Sequence, residues 1–455
     1  MTGRRSAPSR DAPGLDREIL RLAVPAFLAL VAEPLFLLAD AAIVGHLGTS
    51  QLAGLGLAGA VLQTAVGLCI FLAYGTTASV ARQVGAGDPR GALAQGVAGV
   101  WLAVLIGTVV TVVGVPLAGW LVGLFGPPPG VAAHATTYLR IALLGVLPLL
   151  VLMAATGILR GLQDTRTPLV VAVLGNLANI VANLVLVYGL HLGIAGSALG
   201  SDLAQLGSAA ALVAVVVRAS RRAGTSLRPD PTGIRRAAHA GVALVVRTLT
   251  LRASLLVMTS GAATLGASCV AAHQVAITVW TFLAFALDAL AIAAQAVTGR
   301  ALGAGDLEGT RVLTARMIRW GLATGVVTGL GLAAVAGALG PLFTDDPVVR
   351  SLLPQVLLVA ALAQPVAGVV FVLDGVLIGA GDGRYLAVGG VVVLALFAPL
   401  AWAALELAPD SAAHRTALVW LWAAFGVGFM GSRAVVLLHR ARGSSWLLTG
   451  RRGTG

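Results

Sequence analysis

About twelve apolar stretches, each near or above 20 residues long, follow one another along this 455-residue chain. A run of that length crosses the hydrocarbon of a bilayer as a helix, and inside lipid only a helix or a closed barrel satisfies its own backbone. The chain is therefore read as an all-α membrane protein with about twelve transmembrane helices. The stretches fall at 17–46, 51–80, 93–123, 131–159, 168–190 and 193–218, then at 239–265, 269–299, 310–341, 347–378, 384–407 and 415–439. Hydrophobic residues make up 58% of the chain and charged residues 11%, a balance that no soluble domain has.

The net charge of +12 comes from arginine alone, since the chain has no lysine. A basic excess of this size can mark a nucleic-acid binder. Here the arginines sit in short loops between apolar spans, which excludes that reading. They crowd the N-terminal segment (Arg4, Arg5, Arg10, Arg17), every second loop, and the C-terminal segment (Arg440, Arg442, Arg451, Arg452). The alternate loops, such as 46–50 and 126–130, are nearly free of them. By the positive-inside rule both termini are expected in the cytoplasm. The polar N-terminal segment has no short apolar region with a cleavage site, so no signal peptide is expected. Cys69 and Cys269 both fall inside apolar spans, so neither a disulfide framework nor a metal cluster is indicated.

The chain also repeats itself. GAGD at 85–88 returns at 303–306, an offset of 303 − 85 = 218. The same offset carries Arg82 to Arg300, Gly157 to Gly375, Asp164 to Asp382 and Leu47 to Leu265. One offset surviving across several loops is the mark of a duplication. Each half has an even number of spans, so the halves point the same way and form a parallel repeat. The expected organisation is a cytoplasmic tail (1–16), a six-helix bundle (17–218), a cytoplasmic linker (219–238), a second six-helix bundle (239–440) and a C-terminal tail (441–455).

Acids inside the spans carry the functional signal. A carboxylate at membrane depth costs roughly 2.5 kcal/mol or more, so a chain that keeps one uses it or pairs it with a base. Glu33 and Asp40 lie seven residues apart on one face of the first helix, with Pro34 between them. No base lies near them in the first half; Arg140 stands near the end of the fourth span. An acid so placed can exchange protons at physiological pH. Asn176, Asn179 and Asn183 stripe one face of the fifth helix, lining either a helix contact or a wet cavity. The wet cavity is the preferred expectation, because three amides exceed what one contact needs. In the second half Arg252, Asp288, Asp374 and Arg433 balance as two acids and two bases, which favours a buried neutral network over direct ion transport.

Other chemistry is absent from the pattern. The glycines of GAGD follow no strand, so a dinucleotide reading fails; glycine ends one helix there and Asp88 caps the next. No phosphate-binding loop, H-E-x-x-H, G-x-S-x-G or C-x-x-C occurs. No enzyme activity, cofactor or structural metal is expected.

In order along the chain, LADAAIVGHLGT (38–49), RQVGAGD (82–88), RGLQDTRTP (160–168), GNLANIVANLVLVYGL (175–190), LRASLL (251–256), LDALAIAAQAVTGRALGAGD (287–306) and LDGVLIGAGD (373–382) resemble the multidrug and toxic compound extrusion (MATE) transporters. They are most similar to the DNA-damage-inducible-protein-F (DinF)-like bacterial branch. The resemblance covers nearly the whole chain. It implies two bundles around a central cleft, cation-coupled export by alternating access, and a place in the bacterial plasma (inner) membrane. It implies that Asp40 binds the coupling proton or sodium, with Pro25 at the helix-1 bend and Asn179 in the fifth-helix site; Pro34, which removes one backbone hydrogen bond, is a second candidate for that bend. Many relatives carry aspartate where this chain has Asn183, and Glu33 is the candidate replacement. The expected function is antiport of amphipathic, cationic small molecules against protons or sodium, by a monomer in the bilayer, with no nucleic-acid partner. Two rival readings are a lipid-linked precursor flippase of the same superfamily and a passive channel or scaffold. The flippase needs several basic residues for pyrophosphate, whereas the cleft-facing charges of this chain read as mainly acidic.

Overall fold

The computed structural model describes residues 12–407 and 413–450. Among these residues all regular structure is helical, and twelve helices are long and apolar enough to cross a membrane. The first half holds α1 (Gly14–Gly45), α2 (Thr49–Gly85), α3 (Pro89–Gly123), α4 (Pro129–Gly161), α5 (Arg166–Gly189) and α6 (Gly193–Arg222). The second holds α7 (Pro231–Thr264), α8 (Ala267–Gly303), α9 (Leu307–Phe343), α10 (Pro347–Gly379), α11 (Gly383–Glu406) and α12 (Thr416–Arg442). These match the expected spans one for one. Most extend a few residues past the apolar stretch, because local capping chemistry continues them. After Gly87, at φ 71°, the Asp88 carboxylate accepts from Gly91 N at 2.8 Å and Pro89 takes the first turn of α3. Asp306 repeats this for α9, accepting from Gly309 N at 2.8 Å after Gly305 at φ 77°.

The most buried spans are α4 and α10, mates across the offset of 218. Each is the core of its half: α4 packs on α2, α3 and α6, and α10 packs on α8, α9 and α12. Between the halves α6 runs on to Arg222 and α7 begins at Pro231. The non-helical join is thus residues 223–230, shorter than the expected linker 219–238, whose ends belong to α6 and α7. It lies along α3, where Arg90 Nε donates to the Ala223 carbonyl at 2.7 Å and Trp101 Nε1 to Leu227 at 3.0 Å. Residues 1–11 and 451–455 of the expected tails fall outside the described residues.

The halves meet where the arginines are. The ends of α2 and α8 press together so that Gly85 lies against the Arg300 backbone and Gly303 against the Arg82 backbone. Since 82 + 218 = 300 and 85 + 218 = 303, each contact is the copy of the other. A side chain at either glycine would collide with main chain, so both positions need the missing Cβ. The arginines then reach across. Arg82 donates to the Ala380 carbonyl of the second half at 2.5 Å, and Arg300 donates to Gln163 and Glu18 of the first. The chain after α12 closes over the same spot. Trp446 is fully buried, the Leu448 carbonyl accepts from Arg82 at 2.7 Å, and Gly450 N donates to the Leu302 carbonyl at 3.2 Å.

Three spans depart from plain α-helix. In α2 the ladder breaks near Cys69 and Ile70, where bonds run to the third residue back (Cys69 N to Val66 O, 2.9 Å). In α5 the turns from Leu184 to Gly189 widen to π, and in α12 those from Phe425 to Gly431 do so. Such widened turns rotate the side chains that follow and gather at functional sites. By contrast α1 runs on as helix through both Pro25 and Pro34.

Candidate functional site

Asp40, on α1, is 2% exposed. Helices α4, α5 and α6 each send it one hydrogen bond. Asn183 Nδ2 donates to Oδ1 at 2.6 Å, Ser197 Oγ to Oδ1 at 2.7 Å, and the Tyr138 hydroxyl to Oδ2 at 3.2 Å. None of these donors carries a charge, and no arginine or histidine pairs with Asp40 among the described residues. A carboxylate can accept all three bonds as it stands. Once protonated it needs an acceptor, and the Tyr138 and Ser197 hydroxyls can reverse roles to supply one. Asn183 Oδ1 is buried beside it without a hydrogen-bond partner. The site therefore accommodates either protonation state, with one carbonyl oxygen unused.

The geometry follows from small residues on α6. Gly200 faces Asn183, and a Cβ there would strike its Oδ1. Gly196 lies 2.8 Å from the Leu186 backbone by the same measure, so α6 approaches α5 closely. Ser197 and Ser201 follow these glycines at the same four-residue spacing and form a hydroxyl stripe beside them. Ser201 Oγ accepts from Asn179 Nδ2 at 3.1 Å, and Asn179 Oδ1 accepts from Asn183 at 3.3 Å. The π turns of α5 begin one residue after Asn183.

The sequence-predicted residues separate into those in this cluster and those outside it. Asp40, Asn179 and Asn183 come together. Asn176 instead donates to the Ala32 carbonyl at 2.7 Å and ties α5 to α1. The expected wet amide face is thus a set of helix contacts; Asn179 and Asn183 are fully buried. Glu33 shares the helical face of Asp40 but is exposed, and it joins no hydrogen bond found among the described residues. Pattern reading missed Tyr138, Ser197 and Ser201. The small-residue run GIAGSALGS (193–201) was the available signal for the two serines.

In the second half the predicted network needs correction. Asp374 Oδ2 accepts from Arg247 Nη2 at 2.6 Å and from Arg433 Nη2. Arg247, not Arg252, is the second base on Asp374. Arg247 and Arg252 are five residues apart on α7, about 140° around the helix, so both cannot face the same carboxylate. Arg252 and Asp288 line one cavity with this triad, yet neither forms an ion pair among the described residues. The cavity carries three arginines against two aspartates. The expectation of mainly acidic cleft charges is wrong here, and the argument it supplied against a lipid-linked flippase falls with it.

A family model described as MatE matches the chain twice, over residues 25–185 and 243–403. The chain belongs to the MatE family. The two matches are themselves offset by 243 − 25 = 218, the repeat seen in the loops. Protein DETOXIFICATION 44, chloroplastic, of Arabidopsis thaliana is 30% identical over 413 residues, 84% of this chain and 76% of that protein. DNA damage-inducible protein F of Escherichia coli (strain K12) is 29% identical over 296 residues, 64% of each chain, which agrees with the resemblance to that branch. Among solved structures, a MOP superfamily transporter from Pyrococcus furiosus superposes with a TM-score of 0.85. It is 22% identical, with 95% of this chain and 96% of that one covered, and is described by a "reverse polarity of binding pocket". At that identity the likeness shows the fold alone. This MatE member is a multi-pass membrane protein of a transporter family.

Proposed function

We propose that this MatE member is a secondary active exporter of small organic compounds, driven by inward flow of a proton or sodium ion that binds at Asp40. The carrying observation is the Asp40 site itself: a buried carboxylate with three neutral donors, no base, and a spare carbonyl oxygen on Asn183. A structural acid at this depth is expected to carry a matching base. An acid that must take up and release a cation is better served by neutral partners. One charge falling through 100 mV releases about 2.3 kcal/mol, enough for a roughly fifty-fold gradient. The expectation of a cationic substrate came with the family resemblance; the second-half cavity, with three arginines against two aspartates, does not favour a cation there. The multidrug range is supported by the family likeness, and the bacterial inner-membrane location by the bacterial relatives alone, since DETOXIFICATION 44 is chloroplastic.

The test is export by purified protein in vesicles with pH and sodium gradients imposed separately. Asparagine is nearly isosteric with aspartate but cannot take up or release the proton. Asp40→Asn should reach the membrane at near-normal abundance and lose gradient-driven export, while counterflow without a gradient persists. Wild-type export rate and pH dependence in that variant would overturn the assignment. Absence of counterflow in the wild-type protein would favour a channel or scaffold.

A further inference from the structure

The charged residues of the second half enclose a cavity of about 250 Å3 between α2, α7, α8, α10 and α12. Its charges are Arg247, Arg252, Arg433, Asp288 and Asp374, which sum to 3 − 2 = +1. The distribution is uneven. One oxygen of Asp374 already receives both Arg247 and Arg433. The Nε–H of Arg247 is buried and finds no acceptor. Arg252 is exposed to the cavity and forms no ion pair among the described residues. A guanidinium only donates, so these groups leave donors in want of an acceptor. Asp288 shares the wall but lies outside ion-pair distance of all three arginines.

The wall opposite is shaped for Arg252. Gly67, at the break in α2, leaves open the space its guanidinium fills; a Cβ there would lie 2.9 Å from Nη2. Apolar side chains complete the lining, among them Leu251, Leu255 and Phe371. A cavity that combines an unpaired cation with apolar surface is suited to an amphiphile of opposite charge.

We propose that this cavity is a binding subsite for an amphipathic organic anion, with its carboxylate against Arg252 and its apolar body against Leu251, Leu255 and Phe371. The proposal rests on the reading of the protein as an exporter of small organic compounds and names its substrate class. Ion and substrate then occupy different halves: the cation at Asp40 in the first, the anionic group at Arg252 in the second. Inward movement of a cation and outward movement of an anion both carry positive charge inward, so a membrane potential, inside negative, drives the exchange.

The experiment measures binding, with the full chain in phosphatidylcholine nanodiscs and two xanthene dyes of like size, anionic fluorescein and a cationic rhodamine ester. Fluorescein should bind about ten-fold more tightly than the rhodamine. Arg252→Gln should weaken fluorescein about ten-fold and leave the rhodamine unchanged. Asp288→Asn removes a negative charge from the wall and should tighten fluorescein; it keeps the test intact if Arg252→Gln fails to fold. Tighter binding of the rhodamine, or fluorescein affinity indifferent to both substitutions, overturns the proposal. Phosphatidylglycerol added to the nanodiscs should leave fluorescein binding unchanged. If it abolishes binding, the site belongs to a lipid headgroup and the organic-anion proposal fails. The dye preference is independent of any gradient, so its loss leaves the exporter reading standing, and a failure of gradient-driven export leaves the anion subsite standing.

Discussion

Asp374 and Asp40 are both buried acids, yet their partners assign them opposite work. Asp374 is the shared counter-ion of Arg247 and Arg433, whereas Asp40 rests among hydroxyls and an amide. Removing the charge at Asp374 leaves two buried guanidinium groups without their counter-charge, so Asp374→Asn should lower stability by roughly 3–5 kcal/mol. Thermal unfolding in detergent measures this. Combining it with Arg433→Gln should recover part of the loss, and a single variant as stable as wild type would refute the structural role. The acids themselves were legible in the sequence, because a carboxylate in an apolar run stands out by its cost. Their partners were not. Serine and tyrosine hydroxyls pass unnoticed in a membrane span, and the choice between Arg247 and Arg252 depends on the rotation of α7, which composition does not set.

At the level of elements, the helices themselves were plain from hydropathy, and the caps at Asp88 and Asp306 from local chemistry. The irregular turns were not. Nothing in LVLVYG (184–189) or FGVGFMG (425–431) distinguishes a π turn from an α turn; tertiary packing decides it. The Asn stripe of α5 was visible, but whether it met water or α1 and α6 depended on the glycines of α6. The contact of α2 with α8 makes its own prediction. A Cβ at Gly85 falls on the Arg300 carbonyl, so Gly85→Ala should force the arginine-bearing ends of the halves apart. Spin labels at Ala94 and Val312, related by 94 + 218 = 312, should then show a longer mean distance than in the wild-type frame. An unchanged distance distribution would mean that this contact does not set the spacing of the two ends.

For the whole molecule, hydropathy foretold the twelve helices and the offset of 218 the repeat. What they did not foretell is how unequally the halves are furnished. The offset of 218 takes Asp40 to Met258 and Asn183 to Ala401, and it takes Asp374 back to Thr156 and Arg247 back to Ala29. Orientation is tested by thiol labelling of intact cells after replacement of the two buried cysteines, Cys69 and Cys269. Single cysteines at Ser50 and Asp346 should react from outside and one at Thr225 should not. Reaction of the position-225 cysteine from outside would invert the molecule. The reciprocal seating of Gly85 on Arg300 and Gly303 on Arg82 has a consequence of its own. A patch that binds its own copy in this way is isologous, the contact that two identical subunits make about a two-fold axis. Each half carries both the notch and the piece that fills it. Residues 223–230 therefore need not align the halves; they fix the ratio at one to one and keep the effective concentration high, while register comes from the surfaces that meet.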